Sequence, residues 1–232
     1  MTISKSPLLK YQLTNSIATI SLDDGKANVM SIQMLAEINR ALDQAVADRA
    51  VVLLAGRPGM FSAGFDLPVL RAGGLEASLM MRAGFELALR LLAFPTPVVV
   101  ACTGHAVAMG VFLLLASDYR VGVEGAFKIS ANEVAIGLTM PHFAIELCRQ
   151  RLAPAHFNRA LINAEIFTPQ QAISAGFVDQ VVPASDILNV AEIKATELSK
   201  LNMPAHAATK LRIREHVLPA IRSAIERDSL SH

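Results

Sequence analysis

The chain has 232 residues, of which 53% are hydrophobic and 18% charged, with a formal net charge of +1. That composition buries a sizeable core and excludes a disordered chain. It also lacks the global basic field that nucleic acid as the main partner would demand.

The length fits one large domain, or one domain with a small appendage. Cys102 and Cys148 cannot build a disulfide framework. Each sits in an apolar run and is expected to be a buried free thiol in a reducing compartment. Met1 to Lys10 lacks the apolar stretch of a signal peptide, so a cytoplasmic location is expected.

In chain order, residues 8–13 and 16–22 read as two strands joined by a turn at Thr14-Asn15. Asp23-Asp24-Gly25 is a further turn. Ser31 can cap a helix over 32–47, with Ile32, Leu35, Ile38, Leu42 and Val46 on one face. Val51 to Ala55 is a buried strand that Gly56-Arg57-Pro58-Gly59 breaks. Phe61 to Asp66 leads into another helix start, and 75–93 is helical in pattern.

Between Arg90 and Asp118 lie 27 residues without a charge, long enough to cross a bilayer. Pro95, Pro97, Gly104 and His105 interrupt them. The stretch therefore reads as a strand over 97–102, a turn, and a buried helix from Met109 to Ala116, with no membrane insertion. A strand over 118–123 follows, then helices near 142–152 and 155–164.

Thr168-Pro169-Gln170-Gln171 carries a capping box with proline at the first helical position, and Gly176 ends that helix. Phe177 to Val182 is the last strand. The pattern from Ser185 onward is helical and is expected to lie outside the main sheet system, with apolar faces that need the core or another subunit as partner. The alternation of strands and helices predicts an α/β protein.

Two segments share one design. Phe61 to Leu67 and Gly104 to Gly110 each deliver a small-residue turn into a helix start. Helix N-termini offer unpaired N–H groups and a positive dipole end. Two of them converging on one carbonyl oxygen would form an oxyanion hole. No cluster with metal-ligand spacing is present, and no Cys–His pair has the spacing for nucleophilic catalysis.

Gly56-x-x-Gly59-x-Phe61-Ser62-Ala63-Gly64-Phe65-Asp66-Leu67 resembles the signature of the enoyl-CoA hydratase/isomerase (crotonase) superfamily. Pro97 to Ala101 followed by Gly104-His105-Ala106 resembles its second signature. Asp118-Tyr119-Arg120, Phe127 to Gly137, and Ala172 with Gly176-Phe177-Val178 resemble later blocks, in order and spacing. Lys26-Ala27-Asn28-Val29-Met30-Ser31 resembles the loop that holds CoA. The likeness covers about residues 8–183.

The resemblance implies a crotonase-like α/β spiral of repeated ββα units over 1–183 and a helical oligomerisation region over 184–232. It implies a homotrimer or a hexamer built as a dimer of trimers. It also implies an acyl-CoA thioester substrate, with coenzyme A arriving as part of it and no permanently bound cofactor or metal. By matching positions, the oxyanion donors are the backbone N–H groups of Phe65 and Met109. Lys26, Ala27, Ala63, Asp66, Leu67, Phe112 and His142 are expected along the substrate and CoA path. Met109 stands where the family has glycine, so pocket width and local backbone are expected to differ.

Hydration in this family uses two glutamates that hold one water. Phe112 stands at the first position and cannot transfer a proton; Glu133 stands at the second. One carboxylate suits Δ3-Δ2 isomerisation, with Glu133 as the proton shuttle and apolar neighbours raising its pKa. The alternatives are hydration of a 2-trans-enoyl-CoA by Glu133 alone or with His142, thioester hydrolysis, and a non-catalytic acyl-CoA-binding member. Asp66 could also cap its helix, and Asp118 is expected to pin the next strand.

Overall fold

The structure is a computed structural model and describes residues 7–230; residues 1–6, which fall in the N-terminal reading above, and residues 231–232 lie outside the described residues. The chain opens with a hairpin, β1 (Leu9–Thr14) and β2 (Ile17–Leu22), paired antiparallel with Thr14 opposite Ile17. The two loop residues are Asn15 and Ser16, both at positive φ. That matches a type I′ connection, one residue later than the Thr14-Asn15 turn the sequence suggests. Helix α1 (Ile32–Ala47) starts where Ser31 accepts the Met34 N–H, as its N-cap position requires.

A ββα unit then repeats. β3 (Val51–Ala55) and β4 (Gly59–Ser62) precede α2 (Leu67–Ala72) and α3 (Gly74–Leu92). β5 (Val98–Cys102) and β6 (Gly104–Val107) precede α4 (Met109–Ala116). β7 (Tyr119–Val123) and β8 (Ile129–Ser130) precede α5 (His142–Arg151). In each unit the first strand joins a large sheet of order β1-β2-β3-β5-β7-β9, parallel from β2 onward, and the second joins a small parallel sheet β4-β6-β8.

α6 (Pro154–Leu161) and α7 (Pro169–Ala175) lead into β9 (Gln180–Val182). The Thr168 capping box and the left-handed Gly176 bound α7 as expected. The tail forms α8 (Ile187–Ser199), α9 (Met203–Ile213) and α10 (Val217–Leu230).

β4, β6 and β8 are the elements the sequence reading missed. They are short, and their partners lie tens of residues away, so no local period marks them. The tail also departs from expectation, because α8 lies on the large sheet. Along β3 and β5 the side chains alternate between two cores. Val52, Leu54, Val98 and Val100 join the main one; Val51, Leu53, Val99 and Ala101 pack with Ile187, Ala191 and Ala195 of α8. A parallel sheet must be covered on both faces, and β3 is accordingly an unbroken apolar run. The charge-free stretch resolves into β5, β6 and the fully buried α4. Among the described residues no helix is long and apolar enough to cross a membrane.

Asp118 ties the units together. Its Oδ2 accepts the Val98 N–H at 2.9 Å and the Lys210 ammonium at 2.5 Å, and its Oδ1 accepts from Arg214 at 3.1 Å. Lys210 is buried and also donates to the Phe94 and Thr96 carbonyls, so each of its three protons has an acceptor. Desolvation holds its pKa below the usual lysine value. Without Lys210, Asp118 keeps only Arg214 as a cation, and the Phe94 and Thr96 carbonyls lose a donor. Lys210→Met should therefore lower unfolding free energy by about 3 kcal/mol, measured by urea denaturation.

Candidate active site

The loop after β2 is the first component. Asn28 is fully buried at a left-handed φ of 49°. Its Nδ2 donates to the Leu22 and Phe61 carbonyls, and its own carbonyl accepts the Ser62 hydroxyl at 2.7 Å. Ser62 Oγ in turn accepts the Gly64 N–H at 3.1 Å. The Gly64 carbonyl accepts the Met30 N–H at 2.8 Å. A trans peptide places N–H and C=O on opposite sides, so this bond turns the Phe65 N–H away from Met30. Among the described residues that N–H has no acceptor.

The second component is the start of α4. The Ala108 N–H donates to the Ser130 carbonyl, and the Ala108 carbonyl accepts from Val111 and Phe112. The Met109 N–H, first in the helix, therefore points out of its end. The two turns touch. A β-carbon on Gly64 would lie 2.7 Å from Ala108 Cβ and 3.3 Å from Met109 N, and Gly64 has φ +89°. Ala108 itself sits at φ 50°, ψ −124°, a backbone region that strains an L-residue. The Phe65 and Met109 amides thus belong to two turns that touch.

Both turns open on a cavity of about 620 Å³. Ala63, Phe65, Leu67, Phe112, Glu133 and His142, all expected along the substrate path, line it. Phe112 is buried, edge-on to Phe143, which stacks on Phe85 at 4.4 Å between ring centroids; Phe85 meets Phe65 edge-on. Met109 is not among the residues that line the cavity. Its side chain is buried, with its sulfur beside Gly84 of α3, where a β-carbon would also strike the Phe65 ring at 2.5 Å.

Lys26, Ala27 and Asp66 fall outside the lining. Lys26 is exposed on the loop, which is tied to the site by the Ala63 N–H donating to the Ala27 carbonyl. Asp66 caps α2 through the Val69 N–H.

Glu133 follows β8 at the head of a short 3-10 turn, Val134–Ile136. It is 7% exposed, and its Oε2 has no hydrogen-bond partner. Burial pushes its carboxyl up to about 7. The other carboxylate at the cavity is Asp228 of α10. It is committed, because its two oxygens accept the His142 and Phe143 N–H groups and cap α5. The sequence reading missed Asp228, which arrives from the distant tail. It also missed Asn132, whose Oδ1 is buried without a partner beside Glu133. Only its adjacency to Glu133 could have signalled it. Among the described residues no group of three or more metal-ligating side chains occurs.

The sequence pattern of the enoyl-CoA hydratase/isomerase family matches residues 12–229, and the chain belongs to that family of enzymes. Its fold superposes on a family protein from Pseudomonas syringae with a TM-score of 0.95 at 47% identity, covering 96% of this chain and 97% of that one. An enoyl-CoA isomerase of Mycobacterium tuberculosis gives a TM-score of 0.94 at 43% identity, over 97% and 99% of the two chains. A probable enoyl-CoA hydratase, EchA17, of Mycobacterium tuberculosis is 30% identical over 91% of this chain and 82% of its own.

Two variants test the paired turns. Gly64→Ala should lower kcat about 100-fold or more, since it pushes the two amides apart. Ala108→Gly should raise the unfolding free energy by about 1 kcal/mol by releasing a strained φ, measured by denaturant titration.

Proposed function

We propose that this enzyme converts 3-enoyl-CoA thioesters to conjugated 2-enoyl-CoA thioesters. The observation that carries the proposal is Glu133: among the described residues it is the single uncommitted carboxylate in an aromatic-walled cavity onto which the turns of Phe65 and Ala108 open. The thioester oxygen sits between the Phe65 and Met109 N–H groups. Ionised Glu133 removes the C2 proton. The C2–H electron pair delocalises through C3=C4 and the carbonyl as a dienolate, whose oxygen charge the two amides stabilise. One such donor is worth roughly 3–4 kcal/mol in the transition state. The same carboxyl returns the proton to C4, leaving the double bond at C2=C3. A carboxyl of pKa about 7 is suited to both halves, base first and acid second.

CoA enters with the substrate along the loop of Lys26 and Ala27 beside the Phe65 turn. The exposed Leu188, Ile193, Leu211 and Ile213 of the C-terminal helices support assembly into a trimer or a dimer of trimers. A second reading, hydration of a 2-enoyl thioester, is favoured by one observation: Asn132 Oδ1 and Glu133 Oε2, on consecutive residues, are both buried acceptors without a partner.

Absorbance of the conjugated thioester discriminates the two. The isomerase reading predicts conjugation of a trans-3-enoyl-CoA, at least 1000-fold slower in Glu133→Gln, while CoA esters still bind. A 3-hydroxyacyl product from a trans-2-enoyl-CoA at a higher rate reverses the ranking.

The pKa also sets two pH effects. The base form is needed, so kcat/KM should rise with pH and level off above about 7. For stability, the folded pKa lies above the unfolded value of 4.5, so the folded state prefers the neutral acid. Stability is retained below the unfolded pKa and lost as pH rises toward the folded one. Glu133→Gln should therefore stabilise the fold by about 2–3 kcal/mol at pH 8 and by little at pH 4, measured by urea titration.

A further inference from the structure

Helix α5 starts without a cap of its own. Its N-cap residue is Pro141, whose side chain makes no capping hydrogen bond. The first N–H groups of a helix have no partner within it, and in a buried place each must find one elsewhere. Here the His142 and Phe143 N–H groups donate to the two oxygens of Asp228, each at 2.9 Å, across 86 and 85 positions of chain. Asp228 is 9% exposed. It shares one face of α10 with Ile221 and Ile225, and both isoleucines lie in the main core. The C-terminal helix is thus anchored by packing and delivers one carboxylate to the end of another helix.

What that carboxylate holds is a wall of the cavity. Met140, Pro141 and His142 line it. Phe143, next on the helix, meets the rings of Phe85 and Phe112. Cys148 is buried on α5 with Phe143, Ala144 and Leu147, and burial and then the Glu133 charge hold its thiol above the ordinary range. α5 therefore forms part of the surroundings of Glu133. Among the described residues the other ionisable groups at the cavity are Arg82 of α3, His142 and Asp228 itself. Burial, with no partner charge, is what raises the Glu133 carboxyl. Shelter from water is accordingly what the start of α5 can change.

We propose that Asp228 is a positioning residue for the proton transfer: by capping α5 from the C-terminal helix it keeps the aromatic wall closed beside Glu133 and water away from the carboxyl. For its effect on turnover the inference rests on the isomerase reading above. Without the cap, two N–H groups lose their acceptors and the first turn of α5 frays toward water. Glu133 then ionises more easily, which makes it a weaker base and a poorer carrier of the abstracted proton.

The pH dependence of kcat/KM for a trans-3-enoyl-CoA reads this directly. Asp228→Ala should move the rising limb down by about one pH unit and lower kcat about 10-fold. Asp228→Asn keeps an acceptor oxygen, and asparagine caps helices about as well as aspartate, so its limb should stay near the native one. Ile221→Ala loosens the packing of α10 and leaves the cap, so it should lower the melting temperature with an unmoved limb. An unmoved limb in Asp228→Ala overturns the proposal. So does an equal shift in Ile221→Ala, which makes the effect one of general stability. An equal shift in Asp228→Asn overturns it as well, because the charge and not the cap is then at work.

If Asp228→Ala does not fold, the pair Pro141→Asp, Asp228→Ala supplies a cap from the start of α5 itself. A native limb in that pair supports the proposal, and a lowered one overturns it. If the native protein conjugates no 3-enoyl-CoA, the isomerase reading fails by itself. Carbon-13 NMR of the glutamate side chains, with the Glu133 signal identified by its loss in Glu133→Gln, then titrates the carboxyl without turnover. The same pattern of shifts among the variants is expected, and a Glu133 carboxyl that titrates alike in the native protein and in Asp228→Ala overturns the inference.

Discussion

Two turns pressed against each other, one carrying the Phe65 amide and the other the Met109 amide, are the constraint on which the rest of this structure turns. A backbone donor left unpaired in a protein interior is costly, and folding normally removes it. Here several features fix the turns that carry the Phe65 and Met109 amides. The Gly64 carbonyl is claimed by Met30, the Gly64 N–H by Ser62, and Ser62 by the buried Asn28. Ala108 accepts a positive φ so that its own carbonyl can open α4. The small sheet exists to register these two turns, since β4 and β6 run directly into them and pair with each other. The large sheet and its two hydrophobic faces supply the stability against which such local strain can be held.

The same logic governs Glu133. A carboxyl among aromatic rings, with one oxygen unpaired, is a poor choice for stability and a good one for proton transfer near neutrality. Phe112 is central here. It stands where the family resemblance places a second carboxylate, and its ring joins Phe143 and Phe85 in an aromatic wall. Asp228 is prevented from serving as a substitute because its oxygens hold the start of α5. The C-terminal helix therefore contributes to the cavity as well as to the surface.

Much of this was legible in the residues. α1, β3 and α4 fall where period and caps put them, and the Thr168 box and Gly176 bound α7 as written. The contents of the cavity were legible in part, because Phe65, Phe112 and Glu133 sit in blocks whose order resembles a known family. What was hidden is what depends on distant pairing. β4 and β6 are four residues each, and their strand character comes from each other across the intervening α3 and β5. α8 reads as a detached amphipathic helix until the second face of the large sheet is seen to need a cover. Asp228 reads as one more solvated tail carboxylate until α10 brings it to the His142 amide. The free amides themselves have no sequence signature beyond small residues before a helix.

The central claim is that one carboxylate carries a proton from C2 to C4. The most direct measurement is to follow a trans-3-enoyl-CoA deuterated at C2 through turnover and locate the label by NMR. Return of the abstracted hydrogen by the same carboxyl, faster than its exchange with solvent, predicts deuterium at C4 of the conjugated product. Conjugated product whose C4 hydrogen comes wholly from solvent would contradict it.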